Sequence, residues 1–459
     1  MSDYALIVIG AGPGGYEAAL HASKNGLKTA VIEKDRAGGT CLNRGCVPTK
    51  ALLHASETFR AAKEAEHMGI HTGDVTIDLP ALFAYKRGIT ETLSSGVESL
   101  FKGAKVDFLR GTAQIAAQGR VTVTADDGSV SSYTADHILI ATGAVPARPP
   151  IEGLDLEGVL TSDEILEGSD ALYESIVIIG GGVIGMELAT FYADLGTQVT
   201  VVEGLDRILP TMDKELGQNL ALIMKKQGVA IHTGAMVEKI ERTDDGLCVC
   251  FTAKGEAQRV TAGKVLCAIG RRPYTDGLFA DGLQPEMIGR ALRVNDRFET
   301  SVPGIYAIGD VSSKVQLAHV ATAQGIACVD MICGKEPETR LDLIPGCIYC
   351  RPEIATVGCT EAEAKEAGIS VKTGKCVMGA NARTMIAGAG RSFMKIVADA
   401  DSGKLIGAQL MCENATDMIS QLTEAIANGL TARDLLKGMR PHPTYEEALT
   451  EALQKLAVR

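Results

Sequence analysis

The chain has no tryptophan, and aromatic residues make up only 4% of its 459 positions. Large rings therefore cannot fill its interior, so core volume must come from Val, Ile, Leu, Ala and Met. Apolar residues reach 46%, enough for substantial buried cores, which argues against disorder. Proline is sparse, at 15 residues against 51 glycines. That balance suits an α/β protein with many tight turns and close backbone approaches. Basic charge is not in excess either. A net charge of −12 leaves no positive field to neutralise phosphates, so no nucleic-acid partner is expected. No apolar run is long enough to span a bilayer, and no membrane association is expected. The short run Ala5 to Ile9 lacks the basic region that opens a signal peptide. The expectation is a soluble, cytoplasmic protein.

At this length a single core is exceeded, and about three domains are expected. Without a secretion signal, the twelve cysteines should mostly be reduced thiols packed as small hydrophobes. Cys248, Cys250, Cys267, Cys328, Cys333, Cys359, Cys376 and Cys412 take that reading. Cys347 and Cys350 form a Cys-x-x-Cys. Their segment, Gly346 to Cys350, reads as a strand, on which residues three apart face opposite ways. No second such pair completes a zinc site, and no metal is expected.

What the sequence does contain is a repeat. Leu6-Ile7-Val8-Ile9 leads into Gly10, Gly12, Gly14 and Gly15, then a helical stretch, then Val31-Ile32-Glu33. Ile176-Val177-Ile178-Ile179 leads into Gly180, Gly182 and Gly185, then later Val201-Val202-Glu203. Gly10 and Gly180, Gly15 and Gly185, and Glu33 and Glu203 are each 170 positions apart. Each copy reads as strand, glycine turn, helix, strand, acid. The first glycine permits the turn, the second admits a pyrophosphate, and the third lets the helix pack on the strand. The helix N-terminus faces the anion, and the acid accepts from ribose hydroxyls. A lone glycine fingerprint is weak, whereas two in matching contexts point to two dinucleotide sites.

Between the copies lies Gly38-Gly39-Thr40-Cys41-Leu42-Asn43-Arg44-Gly45-Cys46-Val47-Pro48-Thr49-Lys50, with four residues separating its two cysteines. A thiol pair beside a dinucleotide points to electron transfer between a disulfide and a flavin or nicotinamide. Val47 onward reads as a helix, with Pro48 in the first turn where proline is tolerated. A helix N-terminus stabilises a thiolate, the reactive form. Strand-turn endings at Ala141-Thr142-Gly143 and Ala268-Ile269-Gly270, and a change to alternating strands from Leu341, divide the chain into residues 1–147, 148–270, 271–340 and 341–459. Strands are expected at Phe393 to Val397 and Leu405 to Leu410, and helices at about Ala415 to Asn428 and Tyr445 to Leu456.

Together with Ala307-Ile308-Gly309-Asp310 and His442-Pro443-Thr444-Tyr445-Glu446-Glu447, these motifs resemble the flavoprotein disulfide reductases over essentially the full length. The likeness is greatest to the branch that reoxidises dihydrolipoyl groups. The resemblance implies an FAD-binding domain from 1–147 and 271–340, an NAD-binding domain from 148–270, and an α+β dimerisation domain from 341–459. It implies that Glu33 meets the FAD ribose, Asp310 the ribityl chain and Glu203 the NAD ribose, with Lys50, Thr142, Gly143, Gly270, Arg271 and Ala318 as further cofactor-binding residues. Cys41 and Cys46 become a redox disulfide, with Cys46 against the flavin and Cys41 exchanging with substrate. Lys50 pairs with Glu187 beside the flavin. His442, oriented by Glu447, is the acid–base, reaching the disulfide of the other subunit of a homodimer. The implied partner is a lipoylated protein of a 2-oxoacid dehydrogenase complex or the glycine cleavage system. Arg44, Gln324 and Cys350-Arg351 depart from the usual pattern. A glutathione-type reductase would need cations for the NADPH phosphate, which Glu203 opposes. A mercuric reductase would need C-terminal cysteines, and here the last is Cys412. A non-catalytic flavin-binding subunit is disfavoured by the joint presence of Cys41, Cys46, Lys50, His442 and Glu447.

Overall fold

The computed structural model describes Ser2–Ala457; Met1 and the tail residues Val458 and Arg459 lie outside it. The apolar run Tyr4–Ile9 forms a strand parallel to Thr29–Glu33 on one side and to the end of Val130–Ile140 on the other. Leu6, Ile7, Val8 and Ile138 to Ile140 have no exposed surface, as expected of parallel strands covered on both faces. Asp107–Arg110 extends this sheet beyond Thr29–Glu33. On the far side, Ile305–Ala307 joins in parallel, with Ile305 opposite Ile138. The chain beyond residue 270 therefore returns to the first sheet. The start of Val130–Ile140 instead pairs antiparallel with Arg120–Thr124, which pairs with Thr112–Ala117.

A second, fully parallel sheet repeats the plan in the order Ala230–Thr233, Gln198–Glu203, Ser175–Ile179, Lys264–Cys267, Val159–Leu160. An antiparallel sheet of Ala235–Thr243, Gly246–Ala253 and Glu256–Ala262 stands beside it. The two passages between the units pair with each other: Ala144–Pro146 runs antiparallel to Arg271–Pro273.

The last unit is a five-stranded antiparallel sheet, ordered Gly346–Ile348, Ile354–Gly358, Leu405–Met411, Phe393–Asp399, Val371–Val377. Its alternation explains its two neighbours. Met394, Ile396 and Ala398 face a core shared with Ile419, Leu422, Leu449 and Leu453 of the helices Ala415–Ala427 and Glu447–Ala457. Phe393 joins a different core, which takes in Ile178, Phe191 and Leu216 of the second unit and Leu52 and Phe83 of the first. The last helix begins two residues later than the sequence pattern suggests, because Tyr445 and Glu446 form a tight turn whose carbonyls accept from the Ala448 and Leu449 amides three residues on. Gly346–Ile348 is also shorter than expected, ending before Cys350.

The face that carries Phe393 also carries Lys395, which is buried. Its ammonium binds Asp213 and lies 3.6 Å from Glu215, which also pairs with Lys375. Asp213 in addition caps the helix Lys214–Lys226 by accepting from the Glu215 amide. Lys395→Met should leave the largely buried Asp213 without its cation, at a cost of about 3–5 kcal/mol, measured as a lower urea midpoint. Adding Asp213→Leu should recover much of the loss, because an apolar pair replaces a broken ionic one.

Candidate active site

Each glycine turn is dictated by backbone crowding. Gly10 and Gly180 have φ of +102° and +110°, and a Cβ at either would stand 2.4 Å from the carbonyl oxygen of Ala141 or Ala268. A Cβ at Gly15 or Gly185 would come within 1.9 or 2.0 Å of the Gly10 or Gly180 oxygen. Both helices that follow, Pro13–Lys24 and Val183–Asp194, have glycine N-caps with no side chain to satisfy the first amides. Such open N-termini present hydrogen-bond donors and the positive end of the helix dipole.

The acids are fixed in equivalent ways. Glu33 accepts from the Ala11 amide at 2.8 Å and the Asp35 amide at 2.9 Å. Glu203 accepts from the Gly181 amide and from the Leu205 amide at 2.7 Å. Each carboxylate is thus oriented by one amide of its glycine turn and one of the loop that follows it.

Both turns open into one cavity of about 1430 Å³. Its lining includes Gly10, Gly12, Gly14, Glu33, Cys41, Cys46, Lys50, Thr142, Gly143, Gly180, Gly182, Glu187, Glu203, Gly270, Arg271, Asp310 and Ala318. Gly15 and Gly185 lie behind the turns. His442 and Glu447 do not line it either. Within one chain, the histidine and the cysteine pair are not brought together.

The two cysteines stand on successive helices. Cys41 is on Gly39–Arg44, and Cys46 is the first residue of Cys46–Glu64, with Gly45 breaking the backbone between them. Both are free thiols, and their environments separate them. The Cys41 thiol donates to Cys46 and, together with the Lys50 charge, outweighs burial and the opposing Glu187 charge, lowering the Cys46 pKa to about 7. Cys41 is pushed well above the usual thiol range, first by donating its hydrogen to Cys46 and then by burial. The surroundings thus favour the charged form at Cys46 and disfavour it at Cys41.

Lys50 Nζ lies 2.9 and 3.0 Å from the two carboxylate oxygens of buried Glu187. Burial works against the lysine charge, but the charge and hydrogen bonds of Glu187 prevail and raise its pKa. The Tyr349 amide donates to Glu187 at 3.0 Å, and Lys50 Nζ sits 4.7 Å from the centre of the Tyr349 ring. Cys347 lines the same cavity, whereas the buried Cys350 thiol donates to the Pro352 carbonyl.

On the opposite wall, burial raises the Asp310 pKa against the nearby Arg271 charge. Arg271 donates to the Ala144 carbonyl at 2.6 Å and lies 4.0 Å from Asp163 Oδ1, an atom without a hydrogen-bond partner. Gln324, one of the departures in the sequence, accepts from the Gly309 amide at 2.8 Å. A neutral amide is sufficient for that task. Arg44, another departure, pairs with Asp35 at the cavity wall.

Tyr349, Asp163 and Tyr274 were not legible as site residues. Tyr274 receives a bond from Lys34 at 2.7 Å and, through its carbonyl, one from the Thr142 hydroxyl. None of the three sits in a local pattern: Asp163 looks like an ordinary first-turn acid beside the Thr161–Glu164 capping box. Outside the cavity, His442 Nδ1 lies 2.8 Å from Glu447 Oε1. The Thr444 amide and then His442 hold Glu447 below the usual carboxylate range. His442 itself is largely exposed.

Comparisons with known proteins agree along the whole chain. Residues 4–325 match the pyridine nucleotide-disulphide oxidoreductase family, and residues 344–453 match the dimerisation domain of the same group. Dihydrolipoyl dehydrogenase 3 of Pseudomonas putida is 40% identical, covering 98% of each chain. A dihydrolipoyl dehydrogenase of Bacillus subtilis is 39% identical, covering 98% of this chain and 95% of its own. Among solved structures, LpdA from Mycobacterium tuberculosis superposes with a TM-score of 0.90 at 30% identity, covering 99% of this chain and 100% of that one. The HOCl-induced flavoprotein disulfide reductase RclA from Escherichia coli, as its Cu(II) complex, gives 0.88 at 26% identity over 99% of both chains. This chain belongs to the pyridine nucleotide-disulphide oxidoreductases.

Proposed function

We propose that the chain is an NAD-dependent dihydrolipoyl dehydrogenase, active as a homodimer on a lipoylated protein. One observation carries the reading: a single cavity joins two dinucleotide turns to the Cys41 and Cys46 pair. The dihydrolipoyl dehydrogenases that are 39–40% identical to this chain supply the substrate class. FAD fits residues 1–147 and 271–340, with Glu33, Thr142, Gly143, Asp310 and Ala318 as its contacts. NAD fits residues 148–270, with Glu203, Gly270 and Arg271. The crowded turn glycines and the open helix N-termini leave the space and the donors that two pyrophosphates need.

A dihydrolipoyl dithiol is mostly protonated near neutrality, an unperturbed thiol having a pKa of about 8.5. His442, held by Glu447, takes one proton as the substrate sulfur attacks Cys41 Sγ of the oxidised pair. The Cys41–Cys46 bond breaks and Cys46 leaves as the thiolate, which its surroundings favour. The second substrate sulfur then attacks the first, closing the substrate disulfide and releasing Cys41. The released Cys41 takes up the proton of that second substrate thiol and donates it as a hydrogen bond to Cys46. FAD, held by Glu33, Thr142, Gly143, Asp310 and Ala318, would supply the electron-pair acceptor for the reduced cysteine pair, and NAD⁺, held by Glu203, Gly270 and Arg271, would be the final acceptor. Because His442 lies outside the cavity of its own chain, it acts on the disulfide of the second subunit, through residues 341–459. Steady-state rates with dihydrolipoamide and NAD⁺, compared with glutathione disulfide and NADPH, test the proposal. Faster turnover of the second pair would overturn it.

Glu203 should favour the ribose diol and repel a 2′-phosphate. We expect a higher kcat/KM for NAD⁺ than for NADP⁺, and Glu203→Arg should move the ratio toward NADP⁺.

The thiolate should be visible as a long-wavelength charge-transfer absorption of the two-electron-reduced protein. A lowered pKa means that the charged form persists above it and is lost below it. The band should therefore fade as pH falls through about 7. Lys50→Met removes a charge that lowers this pKa, so the midpoint should rise. Cys41→Ser should keep the band, and Cys46→Ser should abolish it.

His442→Gln should retain flavin and dimerisation but lower dihydrolipoamide turnover by at least ~100-fold, the low end of general-base contributions. NADH oxidation by a one-electron acceptor, which bypasses the disulfide, should persist. Heterodimers of His442→Gln and Cys41→Ser subunits should regain activity, since one of their two sites has both groups. Inactive heterodimers from folded, flavin-loaded parents would contradict a site shared between subunits.

A further inference from the structure

Away from the cavity, the antiparallel sheet of the second unit assembles a separate cluster of thiol and carboxylate groups. Leu247, Val249, Phe251 and Ala253 turn inward to a core, so the alternate residues Cys248 and Cys250 share the other face. Glu241 stands directly opposite Cys248 on one neighbouring strand, and Arg259 opposite Cys250 on the other. Cross-strand pairing thus concentrates two sulfurs and a carboxylate where the sequence offers only a Cys-x-Cys and a distant acid. The two Sγ atoms and one carboxylate oxygen all lie within 4.8 Å of one another.

We propose that Cys248, Cys250 and Glu241 form a three-ligand site for a thiophilic divalent cation of the zinc–cadmium type. Two sulfurs bound at ~2.3 Å in a tetrahedron stand ~3.8 Å apart, so the existing spacing needs only a modest contraction. The carboxylate is already divided between two tasks. Lys239 holds Oε2 at 2.7 Å, while Oε1 faces the sulfurs, 3.8 Å from Cys250 Sγ. Arg259 bridges two of the three groups, donating to Cys248 Sγ at 3.4 Å and to Glu241 Oε1. Its side chain is 62% exposed, so it can swing into water as a cation enters. Two thiolates, one carboxylate and a divalent ion leave one surplus negative charge, which Lys239 and Arg259 are placed to offset. The fourth position remains open to water. Entry displaces the protons of both thiols to solvent and involves no electron transfer, so affinity should rise with pH.

The test is anaerobic titration of the purified full-length protein with Cd²⁺ alone, following thiolate-to-cadmium absorption in the ultraviolet and bound metal per chain. The cavity thiols Cys41 and Cys46 contribute equally to the parent and the variants, so the difference between proteins is the readout. Cys248→Ser with Cys250→Ser should lose one equivalent of bound Cd²⁺ and its absorption, with dithiol turnover unchanged. Glu241→Gln retains both sulfurs and should bind that equivalent at least ~10-fold more weakly, since even outer-shell partners cost this much. It also decides the matter if the double variant fails to fold. Unchanged stoichiometry in the double variant, or unchanged affinity in Glu241→Gln, would overturn the three-ligand site.

Discussion

The burial of Glu187 is the constraint on which the arrangement around the cavity depends. Its side chain is only 4% exposed, and an isolated carboxylate there would be too costly to keep charged. Two distant parts of the chain meet its own helix to satisfy it. Lys50 comes from the helix that Cys46 begins, Glu187 from the helix that follows the second glycine turn, and the Tyr349 amide from the end of a strand in the last unit. Once these partners are engaged, the N-terminus of the Cys46 helix is fixed against the second unit. The cysteine pair then lies on the shared cavity.

The same arrangement separates the two sulfurs. They are five positions apart, yet Gly45 divides them between two helices. Cys46 gains the helix start and the Lys50 charge, whereas Cys41 gains burial and gives its hydrogen away. Two like residues therefore sit in unlike surroundings, one favouring the charged form and the other opposing it.

Gln324 and Arg44 show how departures from a motif are absorbed. The glutamine retains an acceptor for the Gly309 amide, so the turn before Asp310 keeps its shape without a charge. Arg44 is neutralised by Asp35, two residues beyond Glu33. The added cation therefore enters the cavity wall already paired.

The glycine turns were legible in the sequence because their requirement is local: φ near +100° and a carbonyl within reach of any Cβ admit only glycine. The fixed offset between the two copies, the strand periods of the last unit and the cysteine spacing were equally plain. Tyr349, Asp163 and Tyr274 were not, since each reaches its partners through pairings between distant segments that no local pattern encodes. The same holds for the cluster at Cys248, which a linear reading treats as two packed thiols. On the folded sheet, strand alternation puts both sulfurs on one face, and register sets Glu241 beside them. Sequence alone determined the turns, the repeat and the residue types that chemistry requires. Tertiary structure decided which of those residues share a cavity and what surrounds each sulfur, because burial and ion pairing arise only when distant segments meet.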